Sequence, residues 1–190
     1  MQSIYIFLRA VLLQIFLASA SMFTVAILLR SGLLNNEAIF FYRGLEAILI
    51  VVSMISVLLL LLPIAWIEKK DVVVSFSIML CINTLFFTHL PVTADRSVTV
   101  FLLGYMSDSK KEVFSKDELE SALIEKYVRD FKAVDRRLAE QIRTGTVSSS
   151  HGEYSLTPKG NALINFYAKI VEWYEIPADY VHPLSVKPQN

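Results

Sequence analysis

KAVDRRLAEQIRTGTVSSSHGEYSLTPKG, residues 132–160, is the stretch that carries the strongest folding signals in this chain. Apolar residues recur in and just before it at spacings of three and four, which predicts a helix over residues 131–143. The stripe expected to face a core is Phe131, Val134, Leu138 and Ile142. Gly145 follows, and glycine readily adopts the left-handed conformation that ends a helix.

A hairpin and a further helix are predicted after that glycine. Residues 146–150 and 153–156 can pair as two short strands, with His151 and Gly152 in the turn. Thr157 then suits the N-cap of a helix over residues 158–175, because Pro158 is favoured at the first helical position. This helix is more apolar than a terminal helix of a small domain needs. It could cover the core, pair with a second copy or lie against a bilayer.

The residues upstream predict two more helices of the same domain. Residues 98–106 are short and apolar, as in a first core helix. Ser115 and Glu118 have the spacing of a capping box, which starts a helix that runs to about Tyr127. Residues 112–114 form a possible small strand between these helices.

The composition divides the chain into an apolar half and a charged half. Hydrophobic residues make up 54% of the 190 residues, and the mean hydropathy of +0.50 is too high for an ordinary soluble domain. Residues 1–89 hold five basic and four acidic residues, whereas residues 90–190 hold 13 basic and 14 acidic ones. The sequence therefore predicts a membrane domain over residues 1–94, followed by a domain in water.

Three runs are long and apolar enough to be transmembrane helices: residues 10–29, 47–66 and 72–91. Residues 68–71 are expected to form the tight turn between the second and third. An alternative for the first run is a cleaved signal peptide, because Ala18-Ser19-Ala20 fits a cleavage site. The same small residues would also let neighbouring helices approach closely.

Three polar residues are candidate intramembrane contacts. Arg43 and Glu46 are three residues apart, so they would be neighbours on one helix face and form an interfacial ion pair. The alternative is that they contact another subunit or a lipid head group. Asn83 lies in the middle of the third run, where an unpaired amide is costly, and it is expected to hydrogen-bond to another helix.

The basic residues favour a cytoplasmic C-terminal domain. Three spans place the termini on opposite sides, and five basic residues then lie near the inner end of the spans against three near the outer end. The inner set is Arg30, Arg43, Arg96, Lys110 and Lys111, and the outer set is Arg9, Lys69 and Lys70. We therefore expect a multi-pass protein of a bacterial inner membrane.

Residues 96–175 resemble a winged-helix domain of the broad type found in MarR-like and PadR-like regulators. The helix containing Asp135-Arg136-Arg137-Leu138, Gly145, the hairpin and the element Leu156-Thr157-Pro158-Lys159-Gly160 carry the match. The resemblance implies that the helix enters the major groove of DNA and that the hairpin touches its backbone. The implied contact residues, for DNA or for another partner, are Lys132, Arg136, Arg137 and Arg143. The predicted domain spans residues 95–176, and residues 177–190 form a proline-containing tail.

Three observations favour a protein partner over DNA. The C-terminal half has slightly more acidic than basic residues, whereas DNA-binding domains usually have a basic surface. The hairpin tip, residues 148–153, contains no Lys or Arg and one Glu. Only three residues separate the last predicted span from the domain, which holds it against an anionic membrane that repels DNA.

The sequence predicts no enzyme, metal site or cofactor. His89, His151 and His182 are scattered, the single Cys81 lies in an apolar run, and the glycines form no phosphate-binding loop. The fold class expected is therefore mainly α, with three transmembrane helices followed by a small α+β winged-helix domain. The function expected is a non-catalytic subunit or adaptor that binds membrane lipid and either a membrane-protein partner or a second copy. A membrane-tethered transcription regulator is the alternative.

Overall fold

The computed structural model describes residues 2–62 and 67–185 of the chain. Three of its helices are long and apolar enough to cross a membrane: α1 (Gln2–Arg30), α2 (Phe40–Leu61) and α3 (Lys69–His89). The prediction of three apolar spans is therefore confirmed. The second helix begins earlier than the predicted run over residues 47–66, and the last four residues of that run lie outside the described part.

The start of α3 differs from the sequence prediction. Residues 68–71 are not a separate turn, because Glu68 is the N-cap of α3 and Lys69 already lies in the helix. The backbone N–H of Glu68 donates to Asp71 Oδ2 at 2.8 Å. This bond ties the chain to the first turn of the helix, in the way that the acidic residue of a capping box does.

The packed interior of the three-helix unit is centred on α2. Ile48, Val51 and Val52 of α2 are buried and lie in one cluster with Met79 of α3. Leu17 and Val25 of α1 belong to the same core. Lipid chains are as apolar as these side chains, so close van der Waals packing and polar contacts must hold the helices together.

Gly44 allows an aromatic ring to lie directly on the backbone of α2. A Cβ atom at this position would stand 1.8 Å from Phe87 Cζ, a distance that no packed structure tolerates. The ring of Phe40 also contacts Phe87, with 5.3 Å between the ring centroids. The absence of a side chain at position 44 therefore sets how closely α2 and α3 approach.

The chain continues with further helices and one hairpin. They are α4 (Pro91–Arg96), α5 (Val98–Asp108), α6 (Lys116–Ala122), α7 (Ala133–Thr144), β1 (Val147–Ser150), β2 (Glu153–Leu156) and α8 (Pro158–Trp173). Two 3-10 turns follow, Ala178–Tyr180 and Pro183–Ser185. The chain divides into two compact units, Met1–Gly104 and Tyr105–Asn190, whereas the boundary expected from composition lies ten residues earlier.

The helix starts in the second unit follow local sequence signals. The predicted capping box of α6 is confirmed, because Glu118 N–H donates to Ser115 Oγ at 3.2 Å and Ser115 N–H donates to Glu118 Oε2 at 2.8 Å. Lys111 also binds the Glu118 carboxylate, and this bond lowers the pKa of Glu118 below its ordinary value. The helix then continues as a π-helix over Leu123–Asp130, past the predicted end at residue 127.

The start of α7 is later than predicted. Lys132 has a φ of 52°, and this left-handed residue separates the π-helix from α7. Phe131 is therefore the C-cap of the π-helix and not the first residue of α7. The predicted helix end at Gly145 is confirmed, since that residue has a φ of 73°.

The predicted hairpin is confirmed, but the predicted third strand is not present. The two strands pair antiparallel, from Val147 opposite Leu156 to Ser150 opposite Glu153. His151 and Gly152 both have positive φ, as a two-residue hairpin turn requires. Residues 112–114 form no strand, so the described sheet has two strands only. The helix–hairpin–helix order is observed, and the winged-helix assignment stays a prediction.

The contact of Gly44 with Phe87 gives a test of the helix packing. We expect Gly44→Ala to lower the stability of the protein by about 1–3 kcal/mol, the usual cost of overpacking a core. Gly104→Ala is the matched control, because nothing lies within 4 Å of a Cβ built there. The melting temperature of each variant in detergent is measured by monitoring thermal unfolding with size-exclusion chromatography. Equal melting temperatures would contradict the described packing of α2 on α3.

Candidate functional site

Three of the four predicted contact residues lie within α7, and Lys132 is its N-cap. Lys132, Arg136 and Arg143 are exposed, whereas Arg137 is half-buried. The Arg137 guanidinium donates to Glu140 Oε2 at 2.9 Å, which neutralises its charge locally. Three of the four predicted residues are thus exposed, at the N-cap of α7 or on the helix itself.

The apolar stripe of the same region is not buried as predicted. Phe131 is 54% exposed and Ile142 is 41% exposed, and Val134 is as exposed as Phe131. Only Leu138 of the predicted core stripe is half-buried. The stripe has the spacing of a buried helix face. In the described part of the C-terminal unit, however, too few residues pack against the stripe to cover it.

Helix α8 also leaves an apolar face uncovered. Phe166 is 57% exposed and Tyr167 is 51% exposed, and their rings contact each other at 6.0 Å between centroids. Leu163 and Trp173 of the same helix and Tyr174, its C-cap, are exposed as well. Gly160 is the one buried residue described in α8. Aromatic residues grouped in this way are the type that contributes most to protein interfaces.

The element Leu156-Thr157-Pro158-Lys159-Gly160 has a structural role that the sequence alone did not reveal. Thr157 Oγ1 accepts the N–H of Gly160 at 3.1 Å, which confirms the predicted N-cap of α8. The same hydroxyl lies 2.7 Å from the carbonyl oxygen of Gly145, and Lys159 Nζ donates to the carbonyl of Thr144 at 2.6 Å. The element therefore joins the start of α8 to the end of α7.

Gly160 is required for this close approach. A Cβ atom at this position would lie 2.2 Å from the carbonyl oxygen of Thr146 and 2.6 Å from Leu156 Cδ1. Thr146 is itself buried, and its hydroxyl donates to Gln141 Oε1 at 2.6 Å. The glycine that supports the winged-helix resemblance is thus explained by packing, without any ligand.

The hairpin carries polar groups that bond to each other. Ser148 Oγ and Ser155 Oγ lie 2.7 Å apart across the two strands, and every residue of β2 is exposed. His151 lies in the turn with a φ of 53°. Groups of three or more His, Cys, Asp or Glu residues that could hold a metal ion are absent from the described residues.

Polar side chains connect α1 and α3 inside the three-helix unit. Asn83 Nδ2 donates to Ser21 Oγ at 2.7 Å and to the carbonyl of Met79 at 2.8 Å, and both Asn83 and Ser21 are buried. Gln14 Nε2 donates to Ser75 Oγ at 2.8 Å. The two pairs are seven residues apart on α1 and eight apart on α3, as expected for helices that run in the same direction.

The sequence predicts a hydrogen bond from Asn83 but neither its partner Ser21 nor the second pair, Gln14 and Ser75. A single amide in an otherwise apolar run is the sequence feature that identifies Gln14 as a contact between helices. Burying an unpaired amide in lipid costs several kcal/mol, so such a residue needs a hydrogen-bond partner. Ser21 carries no comparable signal, since serine is common in spans and bonds to its own helix. Here its hydroxyl also donates to the carbonyl of Ala18 at 2.8 Å.

Arg43 contacts a loop residue instead of Glu46. Its Nη1 atom donates to Asn35 Oδ1 at 3.0 Å, and the guanidinium lies 5.6 Å from the centroid of the Phe40 ring. Glu46 is exposed on α2 and forms no ion pair with Arg43 in the described structure. Arg43 therefore fixes the α1–α2 connection to the start of α2, and the expected interfacial ion pair is not formed.

Comparison with known proteins returns no match: no family model, no characterised protein and no solved structure is similar to this chain.

A double-mutant cycle tests the hydrogen bond between Asn83 and Ser21. We expect Asn83→Ala and Ser21→Ala each to destabilise the three-helix unit, with a coupling energy of about 0.6 kcal/mol, the average for such bonds in membranes, and at most about 1.7 kcal/mol. Ser77→Ala is the control, because Ser77 is exposed and its hydroxyl donates to Val73 of its own helix. Reversible unfolding in mixed micelles measures all variants. Additive effects of the two substitutions would show that the bond contributes nothing.

Proposed function

We propose that this protein is a non-catalytic membrane subunit or adaptor, in which the C-terminal unit binds another protein. Helices α1–α3 anchor it as a multi-pass protein of a bacterial inner membrane, and the basic residues near the spans favour a cytoplasmic C-terminal unit. In this proposal residues 95–176 form a winged-helix domain that serves as a scaffold for docking.

The observation that carries the proposal is the lack of a buried core in the C-terminal unit. Among its described residues only Ala122, Thr146 and Gly160 are buried. A domain of this size normally buries most of its apolar side chains, and its stability depends on that burial. The exposed faces of α7 and α8 are therefore the surface that a partner would cover, either a different membrane protein or a second copy of this chain.

The packing of α1 supports its retention in the mature protein. Ala18 and Ser21, which lie at the alternative cleavage site, are buried among the other spans. Cleavage after Ala20 would remove Gln14 and leave Ser75 without its partner. The three-helix anchor thus depends on the segment that a signal peptidase would discard.

Purification from native membranes tests the proposed interaction. We expect full-length protein in mild detergent to elute with a second protein or as an oligomer, measured by light scattering and mass spectrometry. Phe166→Ser with Tyr167→Ser should reduce recovery of the partner at least tenfold, which corresponds to about 1.4 kcal/mol. Asn165→Ser is the matched control, since Asn165 is the exposed neighbour of this aromatic pair. A lone monomer that yields no partner would contradict the proposal.

Binding to DNA is the second candidate, because Arg136 and Arg143 on α7 and Lys132 at its N-cap are exposed basic residues. If it holds, full-length protein in nanodiscs should retard duplex DNA in a salt-dependent manner. Replacement of Arg136 and Arg143 by alanine should abolish the shift, whereas Lys169→Ala on α8 should not. The near-neutral charge of the C-terminal half and the absence of Lys and Arg from the hairpin tip predict instead that no shift occurs even at low salt.

A further inference from the structure

Helix α5 is apolar over nearly all of its length, and most of its residues are exposed, while Phe101, Leu102 and Tyr105 are half-buried. It contains no charged residue before Asp108, and its only other residues outside the apolar and aromatic classes are Thr99, Gly104 and Ser107. No residue of α5 is buried in the structure, and Leu103 is 62% exposed. A helix that is hydrophobic all round belongs in the interior of a protein or in a membrane. The described part of this protein provides no such interior for α5, which was expected to be a first core helix.

The position of α5 along the chain brings it to the membrane boundary. A single residue, Leu90, joins α3 to α4, and a single extended residue, Ser97, joins α4 to α5. Ser97 Oγ accepts the N–H of Val100 at 3.2 Å, so the same residue that ends α4 also caps α5.

One contact fixes the side of the membrane on which α5 begins. The Arg96 guanidinium lies 5.9 Å from the ring centroid of Phe41, in the first turn of α2. The start of α5 therefore lies level with the end of the bundle at which α2 enters the membrane.

We propose that α5 is an interfacial membrane helix, which lies in the leaflet at this end of the bundle and has lipid as its partner. Its 11 residues span about 16 Å, roughly half of the hydrocarbon core, so it is too short to cross. Tyr105, whose ring also contacts Phe114, is of the residue type that favours the head-group region. Lys110, exposed just beyond the helix, complements anionic lipid. This inference does not depend on the protein partner proposed above.

Site-specific fluorescence on the full-length chain tests this inference. The exposed Cys81 is first replaced by Ser, and an environment-sensitive nitrobenzoxadiazole label is attached to Leu103→Cys or Val100→Cys. Lys116→Cys, exposed at the start of α6, is the control in water. Ile50→Cys, exposed at the middle of α2, is the control in the bilayer core. The proteins are placed in nanodiscs of phosphatidylcholine and phosphatidylglycerol with spin-labelled lipids.

We expect the labels at residues 100 and 103 to emit at shorter wavelength than the label at residue 116. They should be quenched several-fold more strongly by spin labels near the glycerol backbone than by spin labels near the methyl end of the acyl chain. Water-like emission at both sites would overturn the proposal. Short-wavelength emission without lipid quenching would overturn it as well, since a protein would then cover α5. Quenching strongest from the methyl end would place the helix in the bilayer core and also overturn it.

Discussion

The hydrogen bond from Asn83 to Ser21 is the interaction on which the arrangement of the three spans depends. Within a bilayer the hydrophobic effect does not favour one helix–helix pairing over another, because lipid chains solvate apolar side chains equally well. A buried amide, however, must find a partner. Asn83 meets Ser21 at 2.7 Å, and Gln14 meets Ser75 two turns away. These two contacts fix the rotation and the register of α1 against α3.

Small residues then determine how closely the helices pack. Gly44 lets the Phe87 ring rest on the α2 backbone, and the core of Ile48, Val51, Val52 and Met79 forms beside it. The outward faces of the same helices stay exposed and apolar, as lipid contact requires. The anchor is therefore specified on its inner side by polar and small residues. Its outer side requires only that the residues be apolar.

The C-terminal unit differs from the three-helix anchor, because its helix and hairpin ends are well formed but few of its side chains are buried. Its helices and hairpin have well-formed ends: Ser115 caps α6, Gly145 ends α7, and Thr157 and Lys159 tie α8 to α7. Its apolar side chains, in contrast, remain largely exposed. The capping and turn residues therefore make their expected local contacts, whereas the burial of apolar side chains that stabilises a domain is missing. This imbalance is what the proposed subunit or adaptor function explains, since a partner would supply the missing contacts.

The sequence by itself determined the elements whose causes are local. Uncharged runs of bilayer length predicted the three spans, and the capping residues, Gly145 and the His151-Gly152 turn predicted where helices stop and the hairpin bends. Each of these depends on residues only a few positions apart. The sequence did not predict that Glu68 caps α3 or that the left-handed Lys132 makes α7 start later. Both residues fit the longer regular patterns of the turn and the helix to which they were assigned.

Only the tertiary structure decided which residues meet across the chain. Ser21 opposite Asn83, Asn35 in place of Glu46 beside Arg43, and Gly160 against Thr146 are contacts between distant positions, and no periodicity encodes them. The structure also showed that the stripe of Phe131, Val134 and Ile142 is uncovered. Spacing shows that a helix has an apolar face, but what covers that face depends on the rest of the fold and on its partners.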